Sequence, residues 1–308
     1  MSSIGSSDSQ MTDVYKIFDE ELLLSSYDLY NILNDGSFKP YIHDPLNLLI
    51  VDTRSEEEFK KLHVVTAKHH SVVLSDSNFT MNLAHYGMIV LYGGNVKGNL
   101  ELKKFSEIHA SVCEYVVADV CVVRETFDAF KSVCPFLCTE ADVSSTWERR
   151  ALIIYPSVVV DGCLYQGRGD QATDERVINA LGITHIVNIT IEHRNAFPNK
   201  IKYLRLTLED VAETNLLRHL RTTSGFIEKA INKGGRVLVH CNLGVSRSST
   251  VTLAYLMKTK GWNLEKAYTL LKVRRSCARP NAGFLKQLSD WELEVVGERV
   301  TNVDKLIY

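Results

Sequence analysis

No apolar run in this 308-residue chain reaches the roughly 20 residues that a membrane-spanning helix needs, so no membrane span is expected. Neither sign of charge dominates. With 35 Lys and Arg against 37 Asp and Glu, the net charge of −2 gives no electrostatic case for nucleic acid or an anionic membrane. The opening Met-Ser-Ser-Ile-Gly-Ser-Ser-Asp-Ser-Gln has neither the basic start nor the apolar core of a secretory signal. No Lys or Arg precedes Lys16, which argues against a mitochondrial presequence. The seven cysteines are odd in number and irregularly spaced, so no disulfide framework is implied. Cys134 and Cys138 stand three residues apart rather than two, which favours neither zinc nor a redox pair. Reduced thiols in a cytoplasmic or nuclear protein follow, with no metal and no cofactor. What is present is ample for buried cores: 45% hydrophobic residues and 23% charged ones, over a length suited to two domains.

One stretch organises the rest. Val237-Leu238-Val239 runs into His240-Cys241, then Asn242-Leu243-Gly244-Val245-Ser246, then Arg247-Ser248. It reads as a strand, a short loop and a helix with Ser246 near its N-cap. Amide N–H groups at a helix N-terminus converge on one point and bind anions. Arg247 adds a planar guanidinium that can hold two phosphate oxygens. The thiolate is the nucleophilic form of cysteine, and that electropositive setting favours it at Cys241. His240 is expected to orient the loop and support the sulfur through hydrogen bonds, and Ser248 to donate to the sulfur as a leaving group. The competing reading is a buried structural cysteine before a helix.

In chain order, residues 1–19 are expected to be disordered, being serine-rich at the start. A helix over Ser25–Leu33 follows, then a buried strand from Leu46 to Val51. Ser55-Glu56-Glu57-Glu58 is a capping-box pattern opening a helix. Strands at 87–92 and 118–123 alternate with helices at about 99–115 and 125–131. Such alternation implies a parallel sheet covered on both faces. Residues 139–151 are polar and aperiodic and read as a linker. Then come a hairpin turning at Asp161-Gly162, strands at 182–190 and 202–206, a helix at 215–232, and helices at 247–260, 264–274 and 282–296. The fold class is therefore α/β in two domains.

His-Cys-x5-Arg-Ser resembles the signature of the cysteine-dependent protein phosphatases. Together with Leu181-Gly182-Ile183-Thr184-His185-Ile186-Val187-Asn188, Gly234-Gly235-Arg236 and Arg279-Pro280-Asn281, it is similar to the dual-specificity phosphatase domain over 152–297, leaving 298–308 as a tail. Asp52-Thr53-Arg54-Ser55 with His63-Val64-Val65-Thr66-Ala67 resembles a rhodanese-like domain over 20–138, which precedes the catalytic domain in the mitogen-activated-protein-kinase phosphatases. The loop that holds a rhodanese's cysteine reads Gly93-Gly94-Asn95 here, so sulfur transfer lacks its nucleophile. Asp52 and Arg54 are expected to pair. The region matching the kinase-docking arginines offers only Lys68-His69-His70. Asp28–Asn34, His63–Ala67 and the final Thr301–Tyr308 look like the serine/threonine/tyrosine-interacting-like (MK-STYX) branch, a pseudophosphatase there, whereas this chain keeps His240 and Cys241.

The resemblance implies hydrolysis of phosphotyrosine and phosphoserine/threonine through a phosphocysteine. Cys241 would attack, Arg247 and the amides of Asn242, Leu243, Gly244, Val245 and Ser246 would hold the phosphate, and Asp210 would be the general acid. Asp210 matches the family's aspartate five residues before Asn215-Leu216; Glu209 and Glu213 are competitors, and a carboxylate serving only a helix dipole is the alternative. Asn281 is expected to buttress the loop. Arg274, Arg275 and Arg279 either add positive field or are solvated helix ends. Partners would be phosphorylated proteins, mitogen-activated protein kinases among the candidates. The alternatives are a phosphoprotein-binding adaptor with little turnover and a non-protein monoester substrate.

Overall fold

The computed structural model describes residues 22–35, 40–75, 82–93, 99–116 and 120–306. The expected disordered segment 1–19, residues Gly94 and Asn95, the start of the strand at 118, and residues 307–308 lie outside them. The chain falls into two compact units that part between Leu152 and Ile153, except that Asn34 and Asp35 group with the second.

The first unit contains β1 (Leu23–Leu24), α1 (Ser26–Asn34), β2 (Leu48–Asp52), α2 (Glu56–Lys61), β3 (His63–Val64), β4 (Lys68–His69) and α3 (His70–Ser75). It continues with β5 (Met88–Tyr92), α4 (Asn99–Cys113), β6 (Val120–Val123), α5 (Phe127–Val133), β7 (Cys138–Thr139) and α6 (Thr146–Arg150). Five strands pair in parallel in the order β1-β6-β5-β2-β4. Every residue of β2 is buried, as an apolar strand between two helical layers must be. Ser55 and Glu58 form the expected capping box at the start of α2. Buried Asp52 pairs with Arg54 at 2.6 Å and accepts the Tyr92 hydroxyl at 2.6 Å, which bears out the expected internal pair.

The polar stretch expected to be a linker is folded onto this unit. β7 pairs antiparallel with β3, Ser145 and Glu148 cap α6 reciprocally, and Arg149 is buried. Trp147 is exposed. The segment hid from periodicity because a five-residue helix is held by its cap and by tertiary contact, not by an apolar stripe.

The second unit contains β8 (Ser157–Val160), β9 (Leu164–Gly167), α7 (Gly169–Thr173), α8 (Glu175–Leu181), β10 (His185–Asn188) and β11 (Lys202–Arg205). α9 (Leu217–Ile231), β12 (Val237–His240), α10 (Arg247–Lys260), α11 (Leu264–Arg274) and α12 (Ala282–Val296) complete it. The sheet order is β11-β10-β12-β9-β8, parallel except for the β8–β9 hairpin. The signature strand β12 is therefore central. α10 is buried along Arg247–Met257, and its hydroxyl side chains bond the preceding turn: Ser249 Oγ to Val245 O at 2.6 Å and Thr250 Oγ1 to Ser246 O at 3.0 Å.

The expected tail is also fastened. Buried Glu292 accepts from Leu264 N at 2.8 Å, Thr301 Oγ1 at 2.6 Å, and the amides of Val300 and Thr301. One carboxylate thus ties α12 to the start of α11 and to the chain after Gly297. Replacing it strands four donors, so Glu292→Ala is expected to cost about 2–3 kcal/mol, read as a lowered denaturant midpoint.

Candidate active site

Central β12 delivers His240 and Cys241 to the carboxyl end of the sheet, and α10 starts at Arg247. Between them the loop is held from behind by its carbonyls. Asn242 O accepts from Gly169 N at 2.9 Å, and Val245 O from Arg279 N at 2.8 Å. Gly244 O accepts from Arg275 Nε at 2.8 Å and Gln166 Nε2 at 3.2 Å. Gly244 has φ of 69°, and a Cβ there would lie 2.5 Å from Gly167 O, so only glycine fits. Among the described residues, none of the amide N–H groups of 242–246 donates to a protein acceptor. Amides left free while their carbonyls are fixed make an anion-binding nest.

Cys241 is buried (1% exposed), with Sγ 3.3 Å from Ser248 Oγ. Ser248 thus stands where a donor to the sulfur was expected. His240 meets only the loop-orienting half of its expectation. Its Nδ1 lies 3.3 Å from Cys241 O, so the ring touches backbone and not sulfur. Burial pushes the imidazole down to about 4, outweighing that hydrogen bond, so the ring is neutral at physiological pH. It braces the loop without supplying positive charge.

The unfolded histidine binds its proton near the ordinary 6.5, whereas the folded one waits until about 4. Stability is therefore fully present above 6.5 and is lost as pH falls toward 4, by on the order of 3 kcal/mol. Denaturant midpoints at pH 7 and pH 4.5 should differ less in His240→Asn than in the wild type.

Arg247 is nearly covered, its side chain 6% exposed. Nη1 donates to Leu208 O at 2.8 Å and lies 3.8 Å from Glu192 Oε2; Nε is 3.5 Å from Asp210 Oδ2 and makes no hydrogen bond. Asp210 Oδ1 accepts from Ser246 Oγ at 2.6 Å and from Asn281 Nδ2 at 2.9 Å. Ser246 Oγ in turn accepts from Asn281 N at 3.1 Å, so this side chain positions Asp210 instead of capping α10. Glu209 and Glu213 are exposed and reach neither group. Of the three basic candidates, Arg275 is buried, bonding Gly244 O and Ser157 Oγ; Arg274 pairs with Asp161 at 3.2 Å; Arg279 meets the loop through its backbone. Two contributors escaped the sequence reading. Gln166, buried in β9, bonds Gly244 O and Ser249 Oγ; Glu192 faces Arg247. The first looked like a polar residue in a hairpin, and the second like any loop acid.

A cysteine sulfur beside an amide nest, with an arginine and a carboxylate facing each other nearby, is an arrangement that could hold a phosphate next to a thiol. The family described as dual specificity phosphatase, catalytic domain, matches residues 164–294. The second unit carries a match to the dual-specificity phosphatase catalytic domain. A probable rhodanese domain-containing dual specificity protein phosphatase of Dictyostelium discoideum is 28% identical over 87% of this chain and 68% of that protein. Human protein phosphatase Slingshot homolog 1 is 42% identical over 44% of this chain, which spans 13% of its length. The solved human tyrosine phosphatase-like serine/threonine/tyrosine-interacting protein aligns at 34% identity, over 46% of this chain and 97% of that one, with a TM-score of 0.43. Dual-specificity phosphatases, the family matched, are hydrolases acting on phosphoserine, phosphothreonine and phosphotyrosine in proteins. The parallel five-stranded sheet of the first unit fits the rhodanese domain in the Dictyostelium discoideum relative's name, within a two-domain α/β fold. No helix among the described residues is long and apolar enough to cross a membrane.

Proposed function

We propose that this chain hydrolyses phosphotyrosine and phosphoserine/threonine in proteins through a phosphocysteine at residue 241. The observation that carries the reading is the row of free amides at 242–246 beside Cys241 and the unsatisfied Nε of Arg247. Cys241 Sγ attacks phosphorus as the P–O bond to the substrate oxygen breaks; Asp210 gives that oxygen its proton. Water then attacks phosphorus, its proton passes to Asp210, and the P–S bond breaks, returning the sulfur to the hydrogen bond of Ser248. The amides and Arg247 stabilise the equatorial charge in both steps.

Since Arg247 and Cys241 are nearly covered and Arg247 faces two carboxylates, substrate entry requires the side chains of Asp210 and Glu192 to swing away from Arg247. The same closure favours a second reading, a binder of phosphoproteins with slow turnover. Turnover of matched phosphotyrosine and phosphothreonine peptides separates the two: release of phosphate from both supports the enzyme, and binding that depends on Arg247 without release supports the adaptor.

Mitogen-activated protein kinases are one candidate substrate class, met through the catalytic pocket. Docking through the first unit is not supported by its residues, because Lys68 pairs with Asp142 at 2.7 Å and His69 is buried. The first unit, 20–138 with the folded extension to Leu152, serves in this reading as a rhodanese-like platform without sulfur transfer. A cytoplasmic or nuclear setting keeps Cys241 reduced.

A further inference from the structure

We infer that the mouth of this site is a docking surface for a phosphorylated segment whose residues beside the phosphoresidue are apolar and not acidic. The inference rests on the function proposed above and adds its substrate class.

Three loops build the site, and each exposes one large apolar side chain beside a group already described. Ile191 (46% exposed) precedes Glu192, which faces Arg247; Val211 (44%) follows Asp210, which bonds Ser246; Leu243 (66%) lies within the amide loop itself. These are half of the six exposed large apolar residues among the described residues of the second unit, the others being Val273, Leu293 and Val300. Scattered apolar side chains need no explanation, but a concentration of them around a polar pocket marks a place where a partner covers them.

The backbone under each is pinned. Asn188, wholly buried, donates through Nδ2 to His193 O and Asn195 Oδ1, both at 3.0 Å, and accepts from Thr190 Oγ1 at 2.8 Å. His193 N donates to Thr190 Oγ1 at 3.0 Å, closing a polar knot at the root of the Ile191–Glu192 turn. The segment after Val211 rests on Gly283, where a Cβ would stand 2.2 Å from Ala212 O. Leu243 sits between two residues whose carbonyls are fastened at Gly169, Arg275 and Gln166. Apolar side chains presented on ordered backbone lose little entropy on binding, which is how a shallow surface gains affinity.

Charge narrows the partner. Over 191–194 and 208–214 the chain carries Glu192, Glu209, Asp210 and Glu213 against Arg194 alone. Of these, Glu192 and Asp210 face Arg247, so acidic neighbours, or a second phosphate, would meet carboxylates beside the nest as the first phosphate enters it. Like charges brought together in a partly desolvated mouth are the discriminating element.

The test is binding of labelled phosphotyrosine nonapeptides to the full-length Cys241→Ser chain, measured by fluorescence anisotropy. One peptide carries Leu, Val and Ala beside the phosphotyrosine, a second Gly and Ser, a third Asp and Glu. The expected order of affinity is apolar, then Gly/Ser, then acidic, with about tenfold or more between first and last. Ile191→Ser and, separately, Val211→Ser, each added to Cys241→Ser, should shrink the apolar advantage over Gly/Ser. Equal affinities, a preference for the acidic peptide, or an apolar advantage untouched by both substitutions would overturn the inference. Wild-type turnover of 4-nitrophenyl phosphate separates the two levels: turnover with no peptide preference removes only the docking surface, and neither turnover nor peptide binding removes the proposed function with it.

Discussion

Cys241→Ser is expected to reduce hydrolysis of 4-nitrophenyl phosphate and of phosphopeptides by on the order of 10⁴-fold or more. A serine hydroxyl at that position has no general base to activate it: the nearest side-chain contact is Ser248 Oγ, and the neighbouring imidazole of His240 touches a carbonyl instead. The loop carbonyls that keep the amides of 242–246 free are bonded to Gly169, Arg275, Gln166 and Arg279, none of which depends on the sulfur. Phosphate binding and fold should therefore survive the substitution. Steady-state kinetics beside phosphopeptide binding checks this. Loss of rate with retained affinity is the expected pair, and an undiminished rate would mean that another group does the chemistry.

Asp210→Asn should lower kcat on phosphothreonine and phosphoserine peptides by about 10²–10⁴-fold, with a much smaller loss on 4-nitrophenyl phosphate. The contrast comes from the leaving group, since an alkoxide must be protonated as it departs and a nitrophenolate need not be. Asparagine can still accept from Ser246 Oγ and so hold the loop in place. It removes the negative charge 3.5 Å from Arg247 Nε, so substrate binding should be unchanged or tighter. The split between kcat and KM is what distinguishes a proton donor from a carboxylate that merely holds Arg247. Equal losses on both leaving groups would assign Asp210 the second role.

Much of this was legible before any coordinates. The bounds of α10, α11 and α12 match the sequence expectation because their ends are marked by local chemistry. Gly261 and Gly297 take the left-handed conformation after α10 and α12, and the Asn263 and Asn281 side chains cap α11 and α12. The strand–loop–helix around Cys241 was equally plain, since its apolar run, glycine and serine cluster each constrain a few consecutive residues. Elements that exist only through tertiary pairing were not legible. The two-residue strands β3 and β7 define each other across 74 residues, and α6 has no periodic face to announce it.

The site divides the same way. Cys241, Arg247 and Ser248 sit on one motif, and Asp210 was singled out through its resemblance to the family's aspartate five residues before Asn215-Leu216. Glu192, Gln166 and the anchoring role of Arg275 arise where distant segments cross, and no window of sequence displays that. For His240 the bracing of the loop was legible, whereas its hydrogen bond to the Cys241 carbonyl was not.

The account stands on a covalent bond between phosphorus and one sulfur. Rapid-quench turnover of a phosphopeptide by Asp210→Asn, in which breakdown of the intermediate is slowed, followed by peptide mapping under denaturing conditions, reads that bond directly. Phosphate on the peptide containing Cys241, rising within the first turnover and absent from the Cys241→Ser chain, is the predicted result. Steady release of phosphate by the wild type, with no label on residue 241 in either chain at any time, would contradict it.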